Sequence, residues 1–277
     1  YDPEVPVIVA RAPATKEPIA AMLVCAMHPT VLHEDSTLVS GDFPYFTRQA
    51  IRDRLRRPAC TVLFHQGASG NLSPRHVTRG NTFAEAQRIG EILGRSVAAA
   101  IESLDYRRDV KIGVQQTALA ATPREFPAPE EAERRLALAR DRYARLQAEG
   151  APRPAVRTAE CDVFGAEETA ELARAAVDGR LAAAIAACLP AEIQAIGVGP
   201  WTFAGWPGEF FVEYALEVRR RAPGTFVVTL ANGELQGYVT TEEAADRGYY
   251  EANNAVFAPA NGRRFVEATL ALMGTAS

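Results

Sequence analysis

Cysteine is scarce in this sequence. There are four, at Cys25, Cys60, Cys161 and Cys188, with no CxxC pair among them. In a chain of this length they do not make a disulfide framework. Cys25, Cys60 and Cys188 lie in or beside apolar runs, which suits buried free thiols and leans toward a reducing compartment. Excess positive charge is absent too: the formal net charge is -4 and the pI about 5.7, which argues against nucleic acid or an anionic membrane as partner. No apolar run approaches the ~20 residues of a spanning helix, so no transmembrane segment is expected. No stretch has the pattern of a signal peptide. The sequence opens on Tyr1 rather than Met, so a secreted or periplasmic location stays open if a leader lies upstream. The Walker lysine, the GxGxxG spacing and the GxSxG elbow are all missing, which removes nucleotide binding and the usual serine-hydrolase turn. There is no internal repeat and no low-complexity tract.

The 277 residues are 48% hydrophobic and 23% charged, enough for one large core or two small ones. Residues 1–17 are Pro-rich and irregular, with one apolar run, VPVIVA. PIAAMLVCAM predicts a strand buried on both faces, running into His28 and Pro29. Asp42 precedes a helical pattern, FPYFTRQAIRDRLRR, and can cap it. ACTVLFHQ predicts a second buried strand, emptying into the glycine-rich loop GASGNLSPRHVTRGN. A long amphipathic helix at about 82–104 and a half-exposed strand, VKIGVQQTALA, follow. Helices are expected at about 129–149 and 166–187, flanking a Gly/Pro-rich connection; their Arg and Glu fall at the spacing of surface ion pairs. AEIQAIGVG and WTFAGWPG predict a hairpin about Gly199-Pro200. Glu209 then opens an apparent helix, FFVEYALEVRRR; TFVVTLAN is another buried strand, and NGRRFVEATLALM a closing helix. The alternation predicts an α/β fold, a mixed sheet flanked by helices on both faces, with a helical insertion at about 122–187 as the one candidate subdomain.

Three segments each set a metal-competent side chain at the mouth of a strand: His28 an imidazole, Glu209 a carboxylate and Tyr238 a phenol. Ligands of open α/β sheets gather there, and a catalytic zinc commonly takes three such ligands and leaves a position for water. Each residue also has a plain structural role available. His28 can be hydrogen-bonded at a strand end, Glu209 can sit in a helical first turn, and Ser73 before Pro74 can form a turn.

The order and wording of the segments resemble the catalytic domain of the neutral/alkaline, non-lysosomal ceramidases. The matching pieces are His28-Pro29-Thr30, Ser40-Gly41-Asp42, Gly70-Asn71-Leu72-Ser73-Pro74, Pro207-Gly208-Glu209-Phe210, Gly237-Tyr238-Val239-Thr240-Thr241-Glu242-Glu243 and Tyr250-Glu251-Ala252. The resemblance implies the C-terminal portion of one catalytic domain over residues 1–277. It implies a zinc-dependent hydrolase cleaving a carbon–nitrogen amide bond of a sphingolipid by attack of metal-bound water. The Zn²⁺ ligands implied are His28, Glu209 and Tyr238. Ser73 is implied as nucleophile or substrate-positioning group, with Asn71 beside it. Asp42 is expected either to orient a ligand or to cap a helix.

Three departures shape these expectations. The family's other zinc histidine lies upstream in a His-Thr-His-Ser segment that this sequence lacks, so an N-terminal segment or another chain is expected to supply it. His65 is the candidate substitute within the chain; His33 and His76 sit in no matching motif. Asn71 stands where the family has Asp, keeping the shape without the charge. Full-length members add an immunoglobulin-like domain after these motifs, and this sequence ends soon after them. A small non-lipid amide or ester therefore stays open as substrate, as does a non-catalytic scaffold or binding subunit.

Overall fold

The computed structural model describes residues 1–33 and 36–274, and of His76 the backbone alone. The first sheet contains β1 (Val7–Arg11), β2 (Pro18–Cys25) and β3 (Thr61–Gln66), in that order, with β1 antiparallel and β3 parallel to the central β2. Two helices, α1 (Asp42–Leu55) and α2 (Phe83–Glu102), cover it: Ala21, Leu23 and Val62 of the sheet bury against Ile51 of α1 and Val97 and Ile101 of α2. Thr82 starts α2 by accepting the N–H of Glu85.

The second sheet is built from β4 (Ile112–Leu119), β5 (Ala191–Val198), β6 (Trp201–Trp206) and β8 (Thr225–Thr229), in the order β4-β5-β6-β8, with β6 and β8 parallel. A two-residue parallel pair, β7 (Glu209–Phe210) with β9 (Tyr238–Val239), forms a third, minimal sheet. The main core lies here: Trp206, Phe210 and Phe265 are fully buried, with ring centroids 4.6 Å apart for Trp206–Phe210 and 4.8 Å for Phe210–Phe265. Trp206 donates its indole N–H to Thr269 Oγ1 at 2.9 Å, so the buried ring leaves no unpaired donor. Helices α6 (Val212–Arg221) and α9 (Ala260–Gly274) contribute Tyr214, Val218, Phe265 and Val266 to this core.

Between β4 and β5 runs the helical insertion: α3 (Pro129–Ala148), α4 (Arg153–Asp178) and α5 (Arg180–Cys188). Two short helices, α7 (Glu242–Asp246) and α8 (Tyr250–Asn253), link β9 to α9. No helix among the described residues is long and apolar enough to cross a membrane.

The mixed α/β class and the insertion follow the pattern read from the sequence, and the details differ in four places. The strands are divided among three sheets rather than one. VPVIVA, read as irregular, supplies the edge strand β1. β3 is itself an edge strand, and Leu63 is 49% exposed because it points, with Met22 beside it, to the face opposite Val62, which packs against α1 and α2. And α4 begins at Arg153, inside the stretch read as a connection: proline is tolerated in a helix's first turn, where its missing N–H has no partner to lose.

Candidate active site

The C-terminal ends of the parallel strands β2, β3, β6 and β8 come to one place. At that end Thr229, the last residue of β8, donates its hydroxyl to the Gly67 carbonyl beyond β3, at 2.9 Å. Each chain segment leaving these strands carries one part of the site: His28 after β2, the loop at 67–73 after β3, Glu209 after β6, and Tyr238 after β8.

Glu209 does not open the helix. It lies on β7, paired across the parallel register with Tyr238, and α6 starts three residues later at Val212. A Pro-Gly pair before a charged residue resembles a helix start, but two backbone pairings with β9 win here. The first-turn explanation for the Glu209 carboxylate is thereby removed, and Glu213 takes the acidic position in that turn.

The His28 imidazole is half-buried, with both ring nitrogens engaged. Nδ1 faces the Leu72 carbonyl at 3.1 Å and Nε2 faces Glu209 Oε2 at 3.0 Å. Both neighbours are acceptors. A neutral imidazole has only one N–H, so this arrangement asks for positive charge at the ring. Burial works against that charge. The hydrogen bond and charge of Glu209, with the Leu72 and Ser69 carbonyls, outweigh it and hold the His28 pKa above its ordinary value. A divalent cation satisfies the same demand: Nδ1–H on a carbonyl fixes the tautomer that turns the Nε2 lone pair toward Glu209. Two ligands at zinc bond lengths in a tetrahedron stand roughly 3.3–3.5 Å apart, and these two donors, hydrogen-bonded at 3.0 Å, need part only slightly to reach that spacing.

Tyr238 completes the group. Its ring lies 6.3 Å from that of His28 and 6.2 Å from that of Tyr250. Burial first, then the Glu209 charge and Tyr250, push its phenol well above the usual range, so the proton stays on. Tyr250 is raised likewise, by burial and by neighbours that include Cys161 of α4. The insertion therefore reaches the wall of the site. Imidazole, carboxylate and phenol are each chemically able to bind zinc. Among the described residues no third His, Cys, Asp or Glu joins them, so His65, on β3 with its pKa lowered by burial, does not replace the expected histidine. The side chain of His76 lies outside what the structure describes.

The remaining residues singled out in the sequence have definite places. Asp42 is buried; its two oxygens accept the N–H groups of Leu32 and Phe43 at 2.8 and 2.7 Å, so it ties the segment after His28 to the start of α1. The group at His28 Nδ1 is the Leu72 carbonyl. Ser73 is exposed, and its Oγ accepts the Arg75 N–H at 3.3 Å ahead of a short 3-10 turn. Asn71 faces α6, accepting the Val212 N–H at 2.9 Å and donating to both Glu213 oxygens at 3.0 and 2.9 Å. Sequence reading assigned no part to Leu72 or Glu213. A backbone carbonyl leaves no mark in a sequence, and an acid in a helix's first turn is commonplace. Tyr250 lay in a matching segment without a role.

No family sequence model and no curated protein sequence matches the chain. Solved structures do. A structure described as ceramidase complexed with C2 superposes with a TM-score of 0.60 at 16% identity, over 96% of this chain and 46% of that one. Neutral ceramidase from Pseudomonas aeruginosa gives a TM-score of 0.61 at 16% identity, over 98% of this chain and 46% of that one. At this identity the likeness establishes the fold alone, and the chain spans just under half the length of the structures it matches.

Proposed function

We propose that the chain forms part of a zinc-dependent hydrolase that cleaves an amide bond of an N-acylated, sphingoid-type lipid. The observation that carries this reading is the convergence of His28 Nε2 and Glu209 Oε2 at 3.0 Å, beside Tyr238, at the strand ends of a ceramidase fold. His28, Glu209 and Tyr238 would hold the metal, with a further histidine supplied from outside this sequence. Zinc, when bound, supplies Lewis acidity, polarising a carbonyl and making water acidic near neutral pH.

This chain's own residues do the rest. Leu72 fixes the His28 ring in the orientation that aims Nε2 at Glu209. Glu209 places an anion against the cationic centre. Tyr238, beside the pair, would offer its phenol to the metal or, with its proton on, donate a hydrogen bond to the oxygen of a tetrahedral adduct. Ser73 presents an exposed hydroxyl on the loop and orients the acyl group, and Asn71 fixes that loop against α6.

The test is a panel of N-acyl-sphingosines and short N-acyl amines, with His28→Ala as control. Hydrolysis of the lipid amides, lost in the control, supports the reading. Turnover of short amides alone narrows the substrate to small polar ones. A metal-replete wild type that cleaves neither contradicts it and favours a binding subunit.

A further inference from the structure

The loop at 69–72 touches both halves of the metal pair. From one side the His28 N–H donates to the Leu72 carbonyl at 3.0 Å, and the same carbonyl faces His28 Nδ1. From the other, the Gly70 N–H donates to the Phe210 carbonyl at 2.8 Å, one residue past Glu209. Ser69 is held by Gln66 at 2.6 Å, and the side chain that ties the loop to α6 is Asn71. Its oxygen takes the N–H of Val212, a donor with no partner inside α6. Its amide nitrogen donates to the Glu213 carboxylate, at 3.0 and 2.9 Å to the two oxygens.

We infer that Glu213 is a positioning residue: through Asn71 it sets the loop that orients His28 and braces the Glu209 strand. The inference explains why an amide, rather than an acid, suits position 71 in this chain. A carboxylate there still accepts the Val212 N–H but meets the Glu213 carboxylate at hydrogen-bond distance, with no proton between them. An amide opposite a carboxylate is satisfied in either order, so the pair is exchangeable.

The experiment is a three-variant cycle, Asn71→Asp, Glu213→Gln and Asn71→Asp/Glu213→Gln, on the native assembly with melting temperatures in parallel. The inference rests on the zinc reading for one readout only, zinc affinity by chelator competition. The other, amide hydrogen exchange at Gly70, needs no metal. Asn71→Asp is expected to weaken zinc binding by about tenfold and to speed Gly70 exchange by a similar factor. Glu213→Gln stays within about twofold, since its side-chain carbonyl still accepts. The double variant returns to near wild type, because the amide now donates the other way. A double variant as poor as Asn71→Asp, or four proteins alike in Gly70 exchange, overturns the inference. A wild type that binds no zinc yet shows the exchange pattern sinks the proposed function and leaves the positioning role supported.

Discussion

The loop at 67–73 and the α3–α4 hairpin are both rich in polar contacts, and those contacts do different work. In the loop they tie backbone groups and the side chains of Ser69 and Asn71 to neighbouring segments: Gly67 N–H to Cys25 O at 2.9 Å, Gly70 N–H to Phe210 O at 2.8 Å, His28 N–H to Leu72 O at 3.0 Å, with Gln66 donating to Ser69 and Val212 N–H to Asn71. Each has one geometry, and a shift in any of them moves a residue of the His28–Glu209 pair. In the hairpin they are salt bridges on the surface, among them Arg134 and Arg135 to Glu131, Arg140 to Glu167 and Arg174 to Glu171. What holds that hairpin is a narrow apolar seam of Ala132, Leu136, Val163, Ala170 and Ala173. Exposed pairs gain little over solvation, so the region with more ion pairs is the one that tolerates more change.

Substitutions sharpen this contrast, starting with the most severe. Gly237 precedes Tyr238 at φ +73°, and a Cβ there would collide with the Asn254 carbonyl. Gly237→Val is expected to cost about 3 kcal/mol or more, from backbone strain and overpacking together, read by urea denaturation. Gly70 comes next. A Cβ at that position would lie 2.8 Å from the Glu209 carbonyl and 3.0 Å from the Phe211 ring. Gly70→Ala should lose about 1–3 kcal/mol, and its zinc affinity should fall further than its stability accounts for. Equal behaviour of Gly70→Ala and a wild-type site would break the claim that this loop sets the site.

Arg124 tests the joint between the two regions. Its guanidinium donates to the Asn253 and Ala255 carbonyls and to Thr169 of α4, fastening α8, and with it Tyr250, to the insertion. Burial lowers its pKa to about 10, which leaves it charged at neutral pH. Arg124→Met should cost about 1–2 kcal/mol by leaving the Ala255 carbonyl without its side-chain donor and the Asn253 carbonyl with Thr169 alone, with chemical-shift changes at Tyr250 exceeding those in the first sheet. The smallest effect belongs to the hairpin: Arg174→Gln should leave the melting temperature and zinc content unchanged within error. A clear loss there would mean the surface pairs matter more than the seam.

Much of the fold was legible because period and capping agree. The long helix expected at about 82–104, the alternation of VKIGVQQTALA and the Gly199-Pro200 hairpin all appear where the pattern placed them. What was hidden has a common cause. Glu209 read as helical because local pattern cannot show that β9, 29 residues on, pairs with it in parallel. The exposure of one face of β3 depends on which helices cover the sheet, and a run of apolar residues carries no such information. In the site, His28, Glu209 and Tyr238 were nameable as side chains with ligand chemistry. The Leu72 carbonyl and the Glu213–Asn71 contact were not, because one is backbone and the other is geometry between distant segments.

That His28, Glu209 and Tyr238 hold a metal is a proposal. Its most direct test is elemental analysis of the purified native assembly, all accompanying chains included, beside His28→Ala and Glu209→Gln. The account predicts zinc bound stoichiometrically in the wild type and lost from both variants while each retains a wild-type far-ultraviolet spectrum. Zinc retained in full by both variants, or absent from a metal-replete wild type, would contradict it.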